Sequence, residues 1–440
     1  LKSILFYTII LFSFLSFSAT AFERVSTSII NKEDDSWLVT YETQIPVKQL
    51  AFKSSPNNSR STRWIAEDNE YAIFYQDSIE YIRRKDGGDF TNVTFILSPT
   101  YTSLPKEYAP FSPFTDGGLL FHSGRFFVCS EMCDSKVTVW ELNLRSPVNK
   151  NIIINGVVRN KEFSWQSFNE GEKVYVGPGT PLQNEHFIAV IDNGLPEKVK
   201  KHLNQYLPLL MEQYSEYFGI QKEKPMVFAS YSSTEDGTYG NQGGVLPNQI
   251  FMHWYGKESN IRIDENNILW FFSHEVAHLY QGDAAEITDA ENAWINEGSA
   301  EFMASVSLKE LLPQSSDFIA HKINKAKLNC LKELKGYSLV NSMRRKKFEL
   351  YYTCGLIINQ AIHIEANKIN IKVNTFTIWK SFQKRVNAGE PASSQTFLAS
   401  VKPFVSKIFF DDLQELILPE NKKSTRYVEK LQLTSYSNGR

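Results

Sequence analysis

Near residue 195 the spacing of apolar residues changes from two to three or four, which divides the 440-residue chain into two parts of different architecture. Before the change, short alternating runs such as Trp37, Val39 and Tyr41, then Ile73 to Tyr75, Val93 to Leu97 and Val137 to Leu142, are broken by Pro and Gly. That pattern predicts half-buried strands, and a β-sandwich over residues 22–185 is the expected form. Leu119 to Phe121 and Arg125 to Val128 flank His122-Ser123-Gly124, which reads as a hairpin. After the change, Val199, Leu203, Leu207, Leu210, Tyr214 and Phe218 predict an amphipathic helix that Pro196 opens, Pro208 bends and Gly219 ends. Met226 to Tyr231 and Gln249 to Tyr255 read as strands around a glycine-rich loop reaching Gly244, and beyond residue 266 the pattern is almost wholly helical. The expected fold is multidomain α and β. An N-terminal β-sandwich is followed by a lobe over 186–418 that begins as α/β and becomes mostly α, with a tail over 419–440.

Charge removes one class of function. Lys plus Arg number 47 against 49 Asp plus Glu, so the net charge of -2 supplies no general basic field for nucleic acid. At the N-terminus, Lys2 precedes an apolar run from Ile4 to Phe17, and Ala19-Thr20-Ala21 supplies a small-residue cleavage site. The run of 14 residues is shorter than the roughly 20 that span a bilayer. Residues 1–21 therefore read as a secretory signal peptide, with an uncleaved signal anchor as the alternative. The expected location is secreted or periplasmic, without stable membrane insertion after cleavage. Four cysteines suit an oxidising compartment and allow three pairings. Cys129 with Cys133 and Cys330 with Cys354 is one of them; four buried thiols are the other reading.

The chemistry concentrates in His274-Glu275-Val276-Ala277-His278, inside the apolar run Ile268 to Tyr280. On a helix, positions i and i+4 share a face, so both imidazoles can reach one tetrahedral zinc while Glu275 points toward its open side. A catalytic zinc needs a third protein ligand. Glu297 supplies it, 19 residues after His278 in Trp294-Ile295-Asn296-Glu297-Gly298, at the start of a second helix expected to pack antiparallel to the first. The alternative is a helix whose two His are merely part-buried.

With these residues the chain resembles the aminopeptidase N family of zinc metallopeptidases, within the group that shares a thermolysin-like catalytic lobe. The family shows H-E-x-x-H, eighteen residues, then Glu in an N-E-G segment, and the spacing here is the same. Asp283, in Leu279-Tyr280-Gln281-Gly282-Asp283, stands where the family usually has Asn. The resemblance implies one zinc per chain on His274, His278 and Glu297, with Glu275 as general base. It also implies a catalytic tyrosine three residues before a glycine on a later helix, matched by Tyr352-Thr353-Cys354-Gly355; the alternative for Tyr352 is a core aromatic. Two features depart from the family. The G-x-M-E-N segment, whose Glu binds the free amino terminus of a substrate, has its counterpart in Gly244-Val245-Leu246-Pro247-Asn248, with Pro247 in place of that Glu. A large C-terminal helical domain, usual in the family, has no counterpart in the 88 residues after Tyr352.

Other residues carry weaker signals. Glu301, at i+4 from Glu297, can support a zinc histidine or lie on a solvated face. His253 is a candidate to face the cleft. Between Lys322 and Lys347 lie nine Lys or Arg against one Glu, a solvated face or a stretch favouring acidic substrates. The reading is a zinc metallopeptidase acting on a peptide or protein substrate through a metal-activated water. Its specificity leans toward endopeptidase or amine-blocked cleavage. The rival is a non-catalytic peptide-binding protein that retains the zinc scaffold, and intact Glu275 argues against it, because a pure binder needs no general base.

Overall fold

The computed structural model describes residues 23–104, 107–130, 133, 138–167, 170–234, 237–282, 287, 289–334, 336–418 and 428–429. The expected signal segment 1–21, Asp283 and nearly all of the tail 419–440 lie outside the described residues. Among those described, no helix is long and apolar enough to cross a membrane.

The N-terminal part is built from three sheets. A six-stranded sheet runs in the order Glu162–Ser167, Thr138–Arg145, Glu23–Asn31, Trp37–Val47, Phe90–Leu97, Trp64–Ala66. A four-stranded sheet contains Val128–Cys129, Gln49–Phe52, Ile79–Arg84 and Tyr71–Gln76. A five-stranded sheet contains Val157–Asn160, Asn151–Ile154, Lys173–Gly177, Leu119–His122 and Phe111–Pro113. Their inward side chains, among them Val25, Val39, Tyr41, Phe52, Ile82 and Phe121, share one apolar core. This is the β-domain followed by a helical lobe that the change of period predicts.

The third sheet also joins the two parts. Ile152 and Ile154 face the β-domain core while Ile153, between them, packs with Phe228 and Phe251 of the next sheet. Val174 and Val176 face one way and Tyr175 the other. A strand buried on both faces needs a continuous apolar run rather than alternation, which is the pattern of Ile152-Ile153-Ile154. The next sheet is mixed, in the order Leu182–Gln183, Ile188–Ile191, Met226–Ser232, Gln249–Tyr255, Gly240–Leu246, with parallel pairs in the middle and antiparallel edges. Leu182–Gln183 thus pairs with the second part, a few residues before the boundary expected at 185.

Two local expectations are corrected. The segment His122-Ser123-Gly124 is no hairpin: Leu119–His122 and Val128–Cys129 belong to different sheets, joined by a buried 3-10 turn over Ser123–Phe126. Gly124 is needed for close approach, since a Cβ there would fall 1.9 Å from the carbonyl oxygen of Glu170. The glycine-rich stretch before Gly244 is largely strand, Gly240–Leu246. Here the absent side chains leave room for the neighbouring strand, because a Cβ on Gly240 would meet the Tyr255 ring and one on Gly243 would meet Met252.

The helix Glu197–Phe218 continues through Pro208 and lays Val199, Leu203, Leu207 and Leu210 on the core shared with Val227, Ala229 and Ile250. Helices Glu265–Gln281, Trp294–Leu311, Ser316–Glu333 and Glu349–Ile369 follow, and smaller helices reach Ile417. Of the possible pairings, the structure forms Cys129–Cys133 and Cys330–Cys354.

Candidate metal centre and cleft

The helix Glu265–Gln281 starts at Asp264, whose carboxylate accepts from the Asn267 amide at 2.8 Å. Its residues are apolar on almost every side, so it is buried between the mixed sheet and the later helices. The face it turns to the cleft carries the polar residues. His274 Nε2 and His278 Nε2 lie 3.0 Å apart, and each is 3.3 Å from Glu297 Oε2, on the first turn of the helix Trp294–Leu311.

Spacings of this size are what a tetrahedral cation with ligands near 2 Å requires, whose edges measure about 3.3 Å. Two imidazoles and a carboxylate are the donor types zinc prefers, and the three ligand atoms lie within 4.8 Å of one another. The electrostatics point the same way. Burial disfavours a charged His274, yet Glu297 and Glu301 overcome it and pull the imidazole up to about 10. Partial burial raises the Glu297 carboxyl, but the two imidazoles overcome that and hold it well below the usual range. The cluster therefore favours positive charge at the point where the three donors meet.

Polar groups lie against the outer nitrogens. Glu301 Oε1 lies 3.1 Å from His274 Nδ1, and Trp270 Nε1 donates to the other Glu301 oxygen at 2.9 Å. His278 Nδ1 is 2.7 Å from Gln281 Oε1, whose amide donates to Asn296 O at 3.0 Å. Such partners set the tautomer and the ring orientation of a metal-binding histidine. Glu301 therefore lies against His274 and Trp270 rather than on a solvated face.

Glu275, only 9% exposed, lines the same cavity. Burial, opposed by the two imidazoles, pushes its carboxyl above the usual carboxylate range. The Tyr352 ring stacks on His274 with centroids 5.9 Å apart, and burial together with Glu297 and Glu275 raises its phenol, which stays a hydrogen-bond donor. Tyr352 remains 41% exposed at the cleft, whereas its neighbour Tyr351 is the core aromatic.

Tyr352 reaches this position because its helix, Glu349–Ile369, crosses the Glu297 helix at a glycine pair. A Cβ on Gly298 would lie 2.3 Å from Gly355 Cα, and one on Gly355 would lie 2.6 Å from Gly298 Cα. The two backbones touch one residue from Glu297 and one turn from Tyr352. The Cys330–Cys354 disulfide ties the same helix to Ser316–Glu333.

The cavity measures about 710 Å³. Its far wall is the hairpin Gly240–Tyr255, which presents Gly240, Asn241, Val245, Met252 and Trp254. No residue between Gly237 and Gly256 is acidic, and Pro247 sits in the turn between the two strands. His253 does not face the cleft. Period-two alternation turns it to the opposite face, where Ser230 and Ser232 hold its nitrogens and burial lowers it to about 3.

Of the lining residues, Tyr108 carried no sequence signal. Tyr108 enters from the β-domain, its hydroxyl donating to Val245 O at 3.2 Å, and only long-range packing brings it there. Trp270 and Lys322 line the cleft as well. Trp270 sits four residues before His274, an offset that marks the same helix face, so periodicity was a signal for it.

No protein-family profile and no curated protein matches the chain. Among solved structures, an aminopeptidase N family protein from Idiomarina loihiensis shares the fold at a TM-score of 0.62 and 13% identity, covering 93% of this chain and 78% of that one. An M1 zinc metallopeptidase from Deinococcus radiodurans aligns over 94% of this chain and 92% of that one, at 13% identity and a TM-score of 0.45. Leukotriene A4 hydrolase from Saccharomyces cerevisiae aligns at 11% identity and a TM-score of 0.47, covering 92% of this chain and 68% of that one.

Proposed function

We propose that this chain is a zinc-dependent peptidase of the aminopeptidase N type that cleaves peptide bonds by attack of water. The observation that carries the reading is the convergence of His274 Nε2, His278 Nε2 and Glu297 Oε2 at 3.0 to 3.3 Å, beside a buried carboxyl and a phenol in one cavity. Zinc held there supplies the Lewis acidity that makes water a nucleophile near neutral pH. The Glu275 carboxylate, which lines the same cavity, accepts the water proton and passes it to the leaving amine. The Tyr352 hydroxyl donates to the oxygen of the scissile carbonyl as negative charge develops on it. Gln281 holds His278 by its outer nitrogen, and Glu301 lies 3.1 Å from that of His274.

The cleft favours peptides without a free amino terminus at the cleaved residue. A carboxylate that pairs with a substrate ammonium in a partly desolvated cleft is worth roughly 2 to 5 kcal/mol, and the Gly240–Tyr255 hairpin supplies none. Of the remaining acids in the cavity, Glu297 and Glu301 are engaged by the histidines and Asp264 caps a helix. The enzyme acts outside the cytoplasm, in a secreted or periplasmic setting, a reading supported by its two disulfides.

The test is a panel of internally quenched peptides, each with a free and an acetylated N-terminus, assayed with and without a zinc chelator. Chelator-sensitive cleavage of the acetylated set supports both statements. Removal of single residues from free N-termini alone refutes the specificity, and cleavage that survives chelation and Glu275→Gln refutes the mechanism.

A further inference from the structure

The helix Ser316–Glu333 sends one cation into the zinc cavity. Lys322 lines that cavity together with Trp270, Glu301 and Tyr352, and the same four residues border a side cavity of about 580 Å³ that continues past Phe318 and Lys325. The main cleft therefore has a lateral extension, and Lys322 stands at the junction.

The Lys322 ammonium is placed by rings rather than by acids. It lies 5.4 Å from the Trp270 ring centroid and 5.7 Å from that of Phe318, and those two rings pack edge to face. Trp270 is in turn fixed by its hydrogen bond to Glu301. The nearby carboxylates are occupied, since Glu301 serves His274 and Trp270 while Asp264 caps the zinc-motif helix. Among the described residues no carboxylate oxygen lies within ion-pair distance of Lys322 Nζ. The other titratable groups facing the junction are His321, Lys325 and Tyr352, none of them a carboxylate. Partial burial draws the ammonium below the ordinary lysine range, a cost that an incoming anion offsets.

We infer that Lys322 is the specificity-determining residue of this cleft, its ammonium receiving a carboxylate of the bound peptide in the side cavity. The carboxylate is either an Asp or Glu side chain near the scissile bond or the peptide's own C-terminus. The location of the scissile bond rests on the peptidase reading; the ion pair itself does not.

The experiment uses zinc-loaded, full-length Glu275→Gln protein, which binds without turnover, and acetylated, C-amidated peptides with one Glu scanned along a neutral sequence. Each has a Gln counterpart and a Lys counterpart, and one further peptide keeps a free C-terminal carboxylate. Fluorescence anisotropy is expected to give binding roughly tenfold tighter for Glu than for Gln at one position, or for the free C-terminus over the amide. Adding Lys322→Gln abolishes that ratio, and Lys322→Glu turns it in favour of the Lys peptide. The exposed Lys332→Gln, on the same helix, leaves the ratio in place. Equal affinities for acid and amide, or a preference that survives Lys322→Gln, overturn the assignment. Selective binding with no cleavage of any peptide by the unaltered protein overturns the peptidase reading alone. Cleavage without charge selectivity overturns the Lys322 assignment alone.

Discussion

Gly355→Ala separates local propensity from tertiary contact, because the two demand opposite signs. In a helix interior, Ala is favoured over Gly by about 1 kcal/mol, so the sequence alone predicts stabilisation. In the structure, the new Cβ would lie 2.6 Å from Gly298 Cα, 2.9 Å from Trp294 O and 3.2 Å from Gly298 N. Carbon atoms pack at about 3.5 to 4.0 Å, so the helices must part by roughly 1 Å, and the obstructing atoms are backbone that cannot rotate aside. Overpacking of this kind costs about 1 to 3 kcal/mol, which corresponds to a fall in Tm of roughly 2 to 12 °C for a unit of this size. The displacement also acts on chemistry, since Tyr352 lies one turn from Gly355 and Glu297 is adjacent to Gly298. A misplacement of about 1 Å can cost on the order of a hundredfold in rate. Differential scanning calorimetry, zinc content and kcat on an acetylated peptide measure the three effects. A variant with an unchanged or raised Tm and full activity would falsify the glycine contact as the device that positions Tyr352.

Four further outcomes are expected. His278→Ala loses zinc, whereas Glu275→Gln keeps about one zinc per chain and loses activity by several orders of magnitude; full zinc occupancy in His278→Ala would remove it from the ligand set. Tyr352→Phe retains zinc but loses on the order of a hundredfold in kcat, and an unchanged kcat would make the phenol a packing group only. Glu301→Gln weakens zinc binding about tenfold to a hundredfold in chelator competition, because His274 Nδ1 loses an anionic partner; equal affinity contradicts that support. Lys173, fully buried with its ammonium donating to Ala109 O, is pulled down to about 7 by burial, with Arg125 adding to the shift. The unfolded chain keeps that proton to about pH 10.4, so folding sheds it between about pH 7 and 10 and stability rises with pH by up to about 1.4 kcal/mol per unit. Lys173→Met removes this contribution, and equal pH slopes in urea unfolding of the two proteins would contradict it.

The sequence by itself determined whatever depends on near neighbours. The change of apolar period near residue 195 separates the β-domain from the helical lobe, because side-chain direction repeats every two residues on a strand and every 3.6 on a helix. The same periodicity puts His274 and His278 on one face, and Glu301 one turn from Glu297. Glycine was misread where its role was not local: Gly124, Gly240 and Gly243 look like turn residues, yet each makes room for an atom distant in sequence or across a strand pair. The pairing of Cys330 with Cys354 stayed open for the same reason, since it depends on which helices meet. Only the tertiary structure brought Tyr108 to the cleft, decided which face of the Gln249–Tyr255 strand, and so His253, turns away from it, and set Lys322 on two aromatic rings with no ion-pair partner among the described residues. These placements depend on how whole elements pack, and packing is a property of surfaces assembled from residues far apart in the chain, which no local pattern encodes.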